Sequence, residues 1–338
     1  MTEQDLNTET VQSTSTNGGS RSLLRRFSAQ REFIMLLVIV AFAIIMALSS
    51  PIFLTWLNIE AILMALTVEA TIAIGMVVLL ISGGLDLSVG STLAFAGVVA
   101  GLVLTSLGLG AIPAIFIGLL AALGVGLVNG VLVSKLKINP FITTLGTMIT
   151  VRGLVLILAN GRAILNLPDS FKEIGQGRMM GIQYPIFVLL VLVIGGDLLL
   201  RYSRFFRQSY YIGGNEDAAR LSGINVDLIK ILYYSLAALL AGAAGLMLTA
   251  RFGSASLTVG NGVELRVITA CIIGGASLSG GEGSVLGAFL GALFMGMLAN
   301  ALNLLGVDVY YQSFFTGLIL ILAVVFSVLN DRRKLSRS

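Results

Sequence analysis

The sequence predicts an all-α membrane protein with many membrane-spanning helices. Hydrophobic residues make up 57% of the 338-residue chain and charged residues 11%, which is less than half of the charged share usual in soluble domains. Apolar runs of about 18 residues, long enough to cross a bilayer as a helix, recur along the chain. Because lipid cannot satisfy backbone hydrogen bonds, each run is expected to be helical.

Ten apolar segments define the predicted spans, and glycines interrupt some of them. They cover residues 33–50, 59–82, 90–107, 111–134, 141–159, 184–202, 229–250, 264–279, 284–305 and 312–329. The predicted fold is therefore a polytopic bundle of about ten transmembrane helices with glycine-interrupted segments. Residues 29–331 form this transmembrane domain. The connection 160–183 is predicted to be irregular because Pro168, Gly175 and Gly177 break regular elements.

The two ends of the chain are polar. Residues 1–28 begin with a stretch rich in Ser, Thr, Asn and Gln, which predicts a disordered tail, and residues 332–338 form a basic tail. Placing both termini in the cytoplasm puts most of the 21 Lys and Arg residues on that side, as the positive-inside rule requires. Topology then accounts for the net charge of +4, and no nucleic-acid partner is expected.

A short polar segment, residues 213–225, separates two apolar runs and is predicted to be a small cytoplasmic helix. Asn215 can cap it by accepting a hydrogen bond from a free backbone N–H, and Glu216 and Asp217 favour the positive end of its dipole. Gly223 can end it in the left-handed conformation. A helix this short is marginal alone in water, so we expect it to pack against a partner.

Two glycine-rich motifs, residues 82–91 and 274–284, each lie between a predicted span and a following Gly/Ala-rich span. Paired glycine interruptions in the two halves of a chain indicate a transport pathway formed by broken helices. Tight turns that use glycine for positive φ are the alternative, and the sequence leaves both open. The resulting pathway-lining candidates are Gly83, Gly84, Asp86, Ser88, Ser91, Gly274, Gly275 and Ser277.

Small residues recur at four-residue spacing in two other places, which indicates close helix packing. The two ladders are Gly118, Ala122, Gly126 and Gly130, and Gly283, Gly287 and Gly291.

Polar groups inside the predicted spans are a further set of candidates. Ionisable residues at membrane depth are costly, which makes Glu69, Asp86 and Arg152 functional candidates, although Glu69 and Arg152 could instead form a structural pair. Asn129 could line a pathway or make an interhelical hydrogen bond. Asp197 lies near a predicted interface, as does Glu264, and both are expected to be solvated.

Several kinds of chemistry have no residues to support them. The sequence contains no histidine and one cysteine, so it offers no catalytic triad and no metal set. It lacks the Gly-x-x-x-x-Gly-Lys-Ser/Thr loop that binds nucleotide phosphates. We therefore expect movement of a solute rather than catalysis, with no cofactor, catalytic residue or metal site.

Four regions in order resemble one protein family. The Gly-Gly-Leu-Asp-Leu-Ser core of residues 82–91, the second motif 274–284, the polar segment 213–226 and the stretch 291–312 look like the ribose-type permeases of bacterial ABC sugar importers. One departure is Arg266, where the resemblance leads us to expect an acidic residue after Glu264 and Leu265. The sequence names no particular sugar, although ribose is the nearest.

The resemblance implies a set of partners for an inner-membrane permease domain. They are a cytoplasmic ABC ATPase subunit that uses the ATP, a periplasmic sugar-binding protein, a second permease subunit (an identical or related chain) and the lipid bilayer. The segment within 213–226 would be the coupling helix that contacts the ATPase. Its candidate residues are Gly214, Asn215, Glu216, Ala218, Ala219, Arg220 and Gly223. Neutral polar groups such as Asn129 would suit an uncharged sugar.

Two other classes of protein are alternatives. An ion-coupled secondary transporter would use Glu69 or Asp86 to carry a proton or sodium, but it has no obvious use for the cytoplasmic helix. A membrane scaffold or receptor is disfavoured by the short soluble loops and the paired glycine interruptions.

Overall fold

Helices dominate the computed structural model, which describes residues 17–335. The elements in chain order are α1 (Asn17–Ser49), α2 (Trp56–Ile81), α3 (Val89–Thr105), α4 (Ala111–Ser134), α5 (Pro140–Leu158), α6 (Asp169–Gln176), β1 (Arg178–Met179), β2 (Ile182–Gln183), α7 (Tyr184–Tyr202), α8 (Arg204–Gly214), α9 (Glu216–Leu221), α10 (Val226–Phe252), α11 (Val263–Ile273), α12 (Val285–Leu304) and α13 (Val309–Leu335). The all-α class predicted from composition is confirmed.

Within residues 17–335, seven helices are long and apolar enough to cross a membrane. They are the Glu32–Ser49 part of α1, then α2, α4, α5, α7, α10 and α12. The prediction of about ten spans is not confirmed as a count, because the other three segments hold shorter apolar helices. α3 has 17 residues, α11 has 11, and the apolar part of α13 is Tyr310–Val325.

α11 differs most from its predicted span, 264–279. It ends at Ile273, because the glycines that follow turn the chain. At about 1.5 Å per residue it is about 16 Å long, roughly half of the hydrocarbon thickness of a bilayer.

The predicted tails overlap helices at both ends. α1 begins at Asn17, so residues 17–28 are helical and the prediction of a disordered tail over 1–28 is wrong for them. Leu23, Leu24 and Arg25 are strong helix formers and continue directly into the first span. Residues 1–16 lie outside the described part of the chain. α13 extends to Leu335, and residues 336–338 of the basic tail are likewise outside it.

α10 is the central helix of the bundle and packs against α2, α3 and α4. Small residues permit these contacts: a Cβ on Gly75 would lie 2.6 Å from the Cα of Ala237, and one on Gly130 would lie 2.7 Å from the Cα of Ile231. The packing role predicted for the Gly118–Gly130 ladder is thus confirmed at Gly130. A second group of contacts joins α12 to α1, α2 and α11.

The connection predicted to be irregular, 160–183, contains the helix α6 and the antiparallel hairpin β1–β2. The prediction was wrong because Gly175 does not break α6. A Cβ at Gly175 would lie 2.3 Å from the backbone nitrogen of Arg251, so glycine is needed there for close packing against α10. Arg178 of β1 forms an ion pair of 2.8 Å with Glu60 of α2.

Candidate functional site

The first glycine motif is a non-helical segment between α2 and α3. α2 ends at Ile81, Gly83 has a φ of 75°, and helical structure resumes only at Val89. The side chains of Asp86 and Ser88 are fully buried. Most of this segment is therefore enclosed by protein, although Gly83 is exposed and Leu85 is partly buried.

Contacts with α10 give the depth at which this interruption lies. A Cβ on Gly245 would lie 2.1 Å from the carbonyl oxygen of Leu93, and one on Gly97 would lie 2.2 Å from Oγ1 of Thr249. These contacts place the α3 residues Leu93 and Gly97 beside the second half of α10. The interruption itself lies beside Tyr234, about 12 Å along α10 from Val226 at about 1.5 Å per residue. The chain therefore leaves the helical conformation within the length of the long helix α10.

Hydrogen bonds hold the interruption together. Asp86 Oδ1 accepts from the backbone N–H of Ser88 at 2.7 Å and from Ser88 Oγ at 2.6 Å. Asn129 Nδ2 of α4 donates to Ser88 Oγ at 2.9 Å, and Ser91 Oγ donates to the Ser88 carbonyl at 2.8 Å. The structure therefore brings together four of the predicted candidates, Asp86, Ser88, Ser91 and Asn129, as an enclosed network around the start of α3.

Sequence reasoning missed a fifth member of this region, Tyr234 of α10. Its hydroxyl donates to the carbonyl oxygen of Leu85 at 3.1 Å and lies 3.4 Å from the Leu85 backbone nitrogen, which donates to it. A buried tyrosine hydroxyl requires a partner, and the Tyr233-Tyr234 pair inside an apolar span was the available signal.

The second glycine motif folds back on α12. A Cβ on Gly274 would lie 2.1 Å from the carbonyl oxygen of Gly287, so the two backbones touch. Gly275 has a φ of 97°, and the backbone nitrogen of Ser277 donates to the Glu282 carbonyl at 3.1 Å. This motif is a compact turn at the end of the short helix α11, and the Ser277 side chain is buried.

The two motifs meet beside the segment that leads into α9. The backbone N–H of Gly281 donates to the carbonyl oxygen of Ile81, the last residue of α2, at 2.8 Å. A Cβ on Gly213 would lie 1.8 Å from the same oxygen. Tyr210 of α8 adds a hydrogen bond from its hydroxyl to the Gly283 carbonyl at 2.8 Å. We call Ile81, Gly213 and Gly281 the glycine junction.

α9 is the short polar helix that the sequence predicts within residues 213–225, but it is shorter than predicted, because Gly213 and Gly214 belong to the end of α8. Asn215 Oδ1 accepts from the backbone N–H of Ala218 at 2.9 Å, as the cap prediction requires, and Gly223 has a φ of 83° just after the helix. Ala219 is buried against the bundle, whereas Leu221 is 90% exposed. The outward face of α9 therefore carries an apolar side chain that none of the described residues buries.

Five charged residues fix α9 to the bundle, and we call them the α9 charge network. Glu216 accepts hydrogen bonds from Arg220, at 2.9 Å, and from Lys230 of α10. Asp227 of α10 accepts from Arg220 and, at 2.9 Å, from Lys137 in the connection between α4 and α5. Partial burial of Glu216 opposes its ionisation, but the hydrogen bonds from Lys230 and Arg220 outweigh burial and lower its pKa to about 2.

The charges at membrane depth pair differently from the sequence hypothesis. Glu69 accepts a hydrogen bond of 2.6 Å from Nε of Arg266 on α11. Arg152 instead donates to the carbonyl oxygens of Leu257 and Val259, at 2.9 and 3.0 Å. The proposed Glu69–Arg152 pair is therefore wrong, because the chain between α10 and α11 occupies Arg152.

Asp197 also departs from expectation. Its side chain is buried and forms an ion pair of 2.6 Å with Arg201 one turn later on α7, so the prediction of simple solvation is wrong for it. Glu264 is partly buried and accepts from the backbone N–H of Gly262 at 3.2 Å. In the part of the chain that the structure describes, no group of three His, Cys, Asp or Glu side chains could hold a metal ion.

Comparisons with known proteins identify the family. Residues 58–324 match the family described as "Branched-chain amino acid transport system / permease component". The chain is 40% identical over 300 residues to the ribose import permease protein RbsC of Escherichia coli strain K12, covering 88% of this chain and 92% of that protein. RbsC of Bacillus subtilis is 40% identical over 294 residues, which are 86% of this chain and 89% of that protein.

A third relative is the L-arabinose ABC transporter permease protein AraH of Azospirillum brasilense, 40% identical over 305 residues, 90% of this chain and 89% of that protein. No solved structure matches the chain. The apolar helices and the permease relatives make this a multi-pass inner-membrane protein. The match covers most of the chain and the relatives are permeases rather than enzymes, so the chain belongs to the family of transport-system permease components.

Proposed function

We propose that this chain is the membrane-spanning permease subunit of an ABC importer and that it moves a simple sugar across the inner membrane. The relatives that support this are ribose and L-arabinose permeases at equal identity, so the substrate class is a neutral pentose or a similar sugar. The chain binds no cofactor of its own, and a separate cytoplasmic ATPase subunit uses the ATP.

The observation that carries the mechanism is the attachment of α9 to the bundle. The α9 charge network fixes the inner face of the helix, and Leu221 and Ala218 lie on its exposed side. The ATPase would contact this side, with Gly214, Asn215 and Gly223 at its edges. Rigid attachment is what a coupling element needs, because a loosely held helix would absorb the displacement instead of passing it on.

From α9 the displacement would reach the pathway through the glycine junction. Gly213 lies against the end of α2, directly before the first motif, and Gly281 belongs to the second motif. A shift of α9 would therefore move α2 and the α11–α12 turn together. Rigid elements that rock about a fixed site are the usual means of alternating access.

The glycine motifs would form the wall of the pathway. We assign the wall itself to the backbone around Gly83, Gly84, Gly274 and Gly275. The side chains of Asp86, Ser88, Ser91 and Asn129 are enclosed, as is that of Ser277, so these groups would hold the shape of the wall. We further propose that α3, α11 and α13 complete ten membrane-embedded segments with both termini in the cytoplasm.

Three partners follow from this scheme: the ATPase, a periplasmic sugar-binding protein that delivers the sugar, and a second permease subunit. The test is uptake of radiolabelled D-ribose and L-arabinose into proteoliposomes that contain the full complex. We expect accumulation that requires ATP on the ATPase side. Accumulation by this chain alone, driven by a proton or sodium gradient without ATP, would instead establish the secondary transporter.

A further inference from the structure

One face of α2 is exposed along its first half only. Leu57, Ala61 and Ala65 are exposed and lie four residues apart, so they form a single stripe on the helix. Glu69 continues the stripe and is partly exposed, and every residue from Ala70 to Ser82 is buried. The stripe therefore ends at Glu69.

Glu69 lies at the middle of a long span. It is about 20 Å from Trp56 along α2 at about 1.5 Å per residue, and its partner Arg266 lies in the first turn of the half-length helix α11. The side chains remain 16% and 35% exposed, respectively. Because charged groups at this depth are costly against lipid and face the bundle interior or a water-filled cavity, the stripe is expected to face water or protein.

The pair also keeps free hydrogen-bonding capacity. Among residues 17–335, Nε of Arg266 is bonded to Oε1 of Glu69, whereas Oε2 of Glu69 and both terminal nitrogens of Arg266 make no hydrogen bond. Arg152, the other arginine at membrane depth, is occupied by two backbone carbonyls. The free atoms thus comprise one carboxylate acceptor and two guanidinium donor groups on a pair with no net charge.

We propose that the Glu69–Arg266 pair is a transient binding site for a neutral polyhydroxylated solute at mid-membrane. The carboxylate accepts from one hydroxyl group and the guanidinium donates to its neighbour, a pattern that fits vicinal hydroxyls. An anionic or cationic solute gains attraction from one member of the pair and repulsion from the other. This inference rests on the proposed sugar import.

Water access to the stripe is the first test. The sequence has a single cysteine, Cys271, which is fully buried, so an introduced cysteine can be labelled selectively. In the assembled complex, we expect a charged, membrane-impermeant thiol reagent to modify Ala65→Cys at least tenfold faster than Val191→Cys. Val191 is a suitable control because it is 70% exposed in the middle of the apolar helix α7.

Equally slow modification of the two cysteines would overturn the proposal, because the stripe would then face lipid or a tight protein contact. Excess D-ribose or L-arabinose, in the presence of the binding protein, should slow the modification of Ala65→Cys during ATP-driven turnover.

Transport by charge variants is the second test. We expect Glu69→Gln and Arg266→Gln to lower the maximal ATP-driven uptake of D-ribose or L-arabinose about tenfold. The half-saturating sugar concentration, which the binding protein sets, should not change. Glu60→Gln is the matched control, because Glu60 also lies on α2 and pairs with Arg178 away from the stripe, and it should retain uptake.

The results separate this inference from the proposed function. Wild-type uptake that does not depend on ATP would refute the importer itself. ATP-dependent wild-type uptake with normal rates in both Glu69→Gln and Arg266→Gln would refute only the binding site. A loss of uptake that merely follows a loss of folded protein in the membrane would also refute it, since the pair would then be structural.

Discussion

The carbonyl oxygen of Ile81 accepts a hydrogen bond of 2.8 Å from the backbone N–H of Gly281, a residue 200 positions later in the chain. This bond joins the end of α2 to the second glycine motif, and Gly213 fits against the same oxygen because it has no side chain. Three segments that are far apart in sequence therefore share one backbone contact. In the proposed mechanism, this contact carries the movement of α9 into the bundle.

Two glycines test the glycine junction. Gly213→Ala would place a Cβ 1.8 Å from the Ile81 carbonyl oxygen, whereas a Cβ on Gly195 of α7 meets nothing within 4 Å. We therefore expect Gly213→Ala to reduce ATP-driven uptake at least tenfold and Gly195→Ala to retain most of it, at equal amounts of membrane-inserted protein. Equal uptake by the two variants would show that transport does not need the close backbone contact at the glycine junction.

Ser88→Ala tests the enclosed network at the start of α3. The substitution removes a hydroxyl that donates to Asp86 and accepts from Asn129, which leaves buried polar groups unsatisfied at a cost of about 1–3 kcal/mol. Thermal unfolding of the detergent-solubilised protein should show a clear decrease in Tm. Ser49→Ala is the control, because Ser49 is exposed and its hydroxyl donates to the Ile45 carbonyl one turn earlier. A Tm loss in Ser49→Ala as large as that in Ser88→Ala would contradict a special role for the buried network.

The α9 charge network predicts a pH dependence. The pKa of Glu216 falls from an ordinary value of 4.5 to about 2 in the folded protein. A depressed carboxyl pKa stabilises the fold above pH 4.5, and this contribution is lost as the pH falls from 4.5 toward 2. Hydrogen exchange of the backbone amides of residues 216–221 is the measurement. After correction for the pH dependence of the intrinsic exchange rate, their protection should be constant between pH 7 and 5 and fall below pH 4.5.

Glu216→Gln is the variant for this measurement. It keeps the size of the side chain but removes the charge that Arg220 and Lys230 contact, so protection in α9 should be low already at pH 7. Protection in Glu216→Gln equal to that of the wild-type chain would mean that packing of Ala219, rather than charge, holds the helix.

Local features were predictable from the sequence and distant pairings were not. The cap at Asn215, the left-handed Gly223 and the apolar helices each depend on a few neighbouring residues. The structure contains the cap and the left-handed glycine and, among residues 17–335, seven of the ten predicted spans as helices long enough to cross a membrane. The partner of Glu69 lies 197 positions away on α11, and no local pattern identifies it. Hydropathy also gives the length of a helix but not its depth, so the start of α3 beside the interior of α10 could not be inferred.

Two features of residues 160–183 could not be predicted for a related reason. Gly175 looked like a helix breaker because the sequence does not show that α10 packs against its Cα. The ion pair between Arg178 and Glu60 could not be predicted either, because Glu60 lies on a distant helix. Both depend on tertiary contacts that override local propensity.

The central claim, that α9 contacts an ATP-hydrolysing subunit, is tested most directly by photo-cross-linking from single cysteines in the assembled complex. Leu221→Cys would carry a thiol-linked benzophenone on α9, and Met180→Cys would carry it at the tip of the β1–β2 hairpin. Both side chains are at least 90% exposed in the native chain. We expect a cross-link from position 221 to the ATPase subunit and none from position 180. Labelled Leu221→Cys that gives no cross-link to the ATPase, in a complex that still imports sugar with ATP, would contradict it.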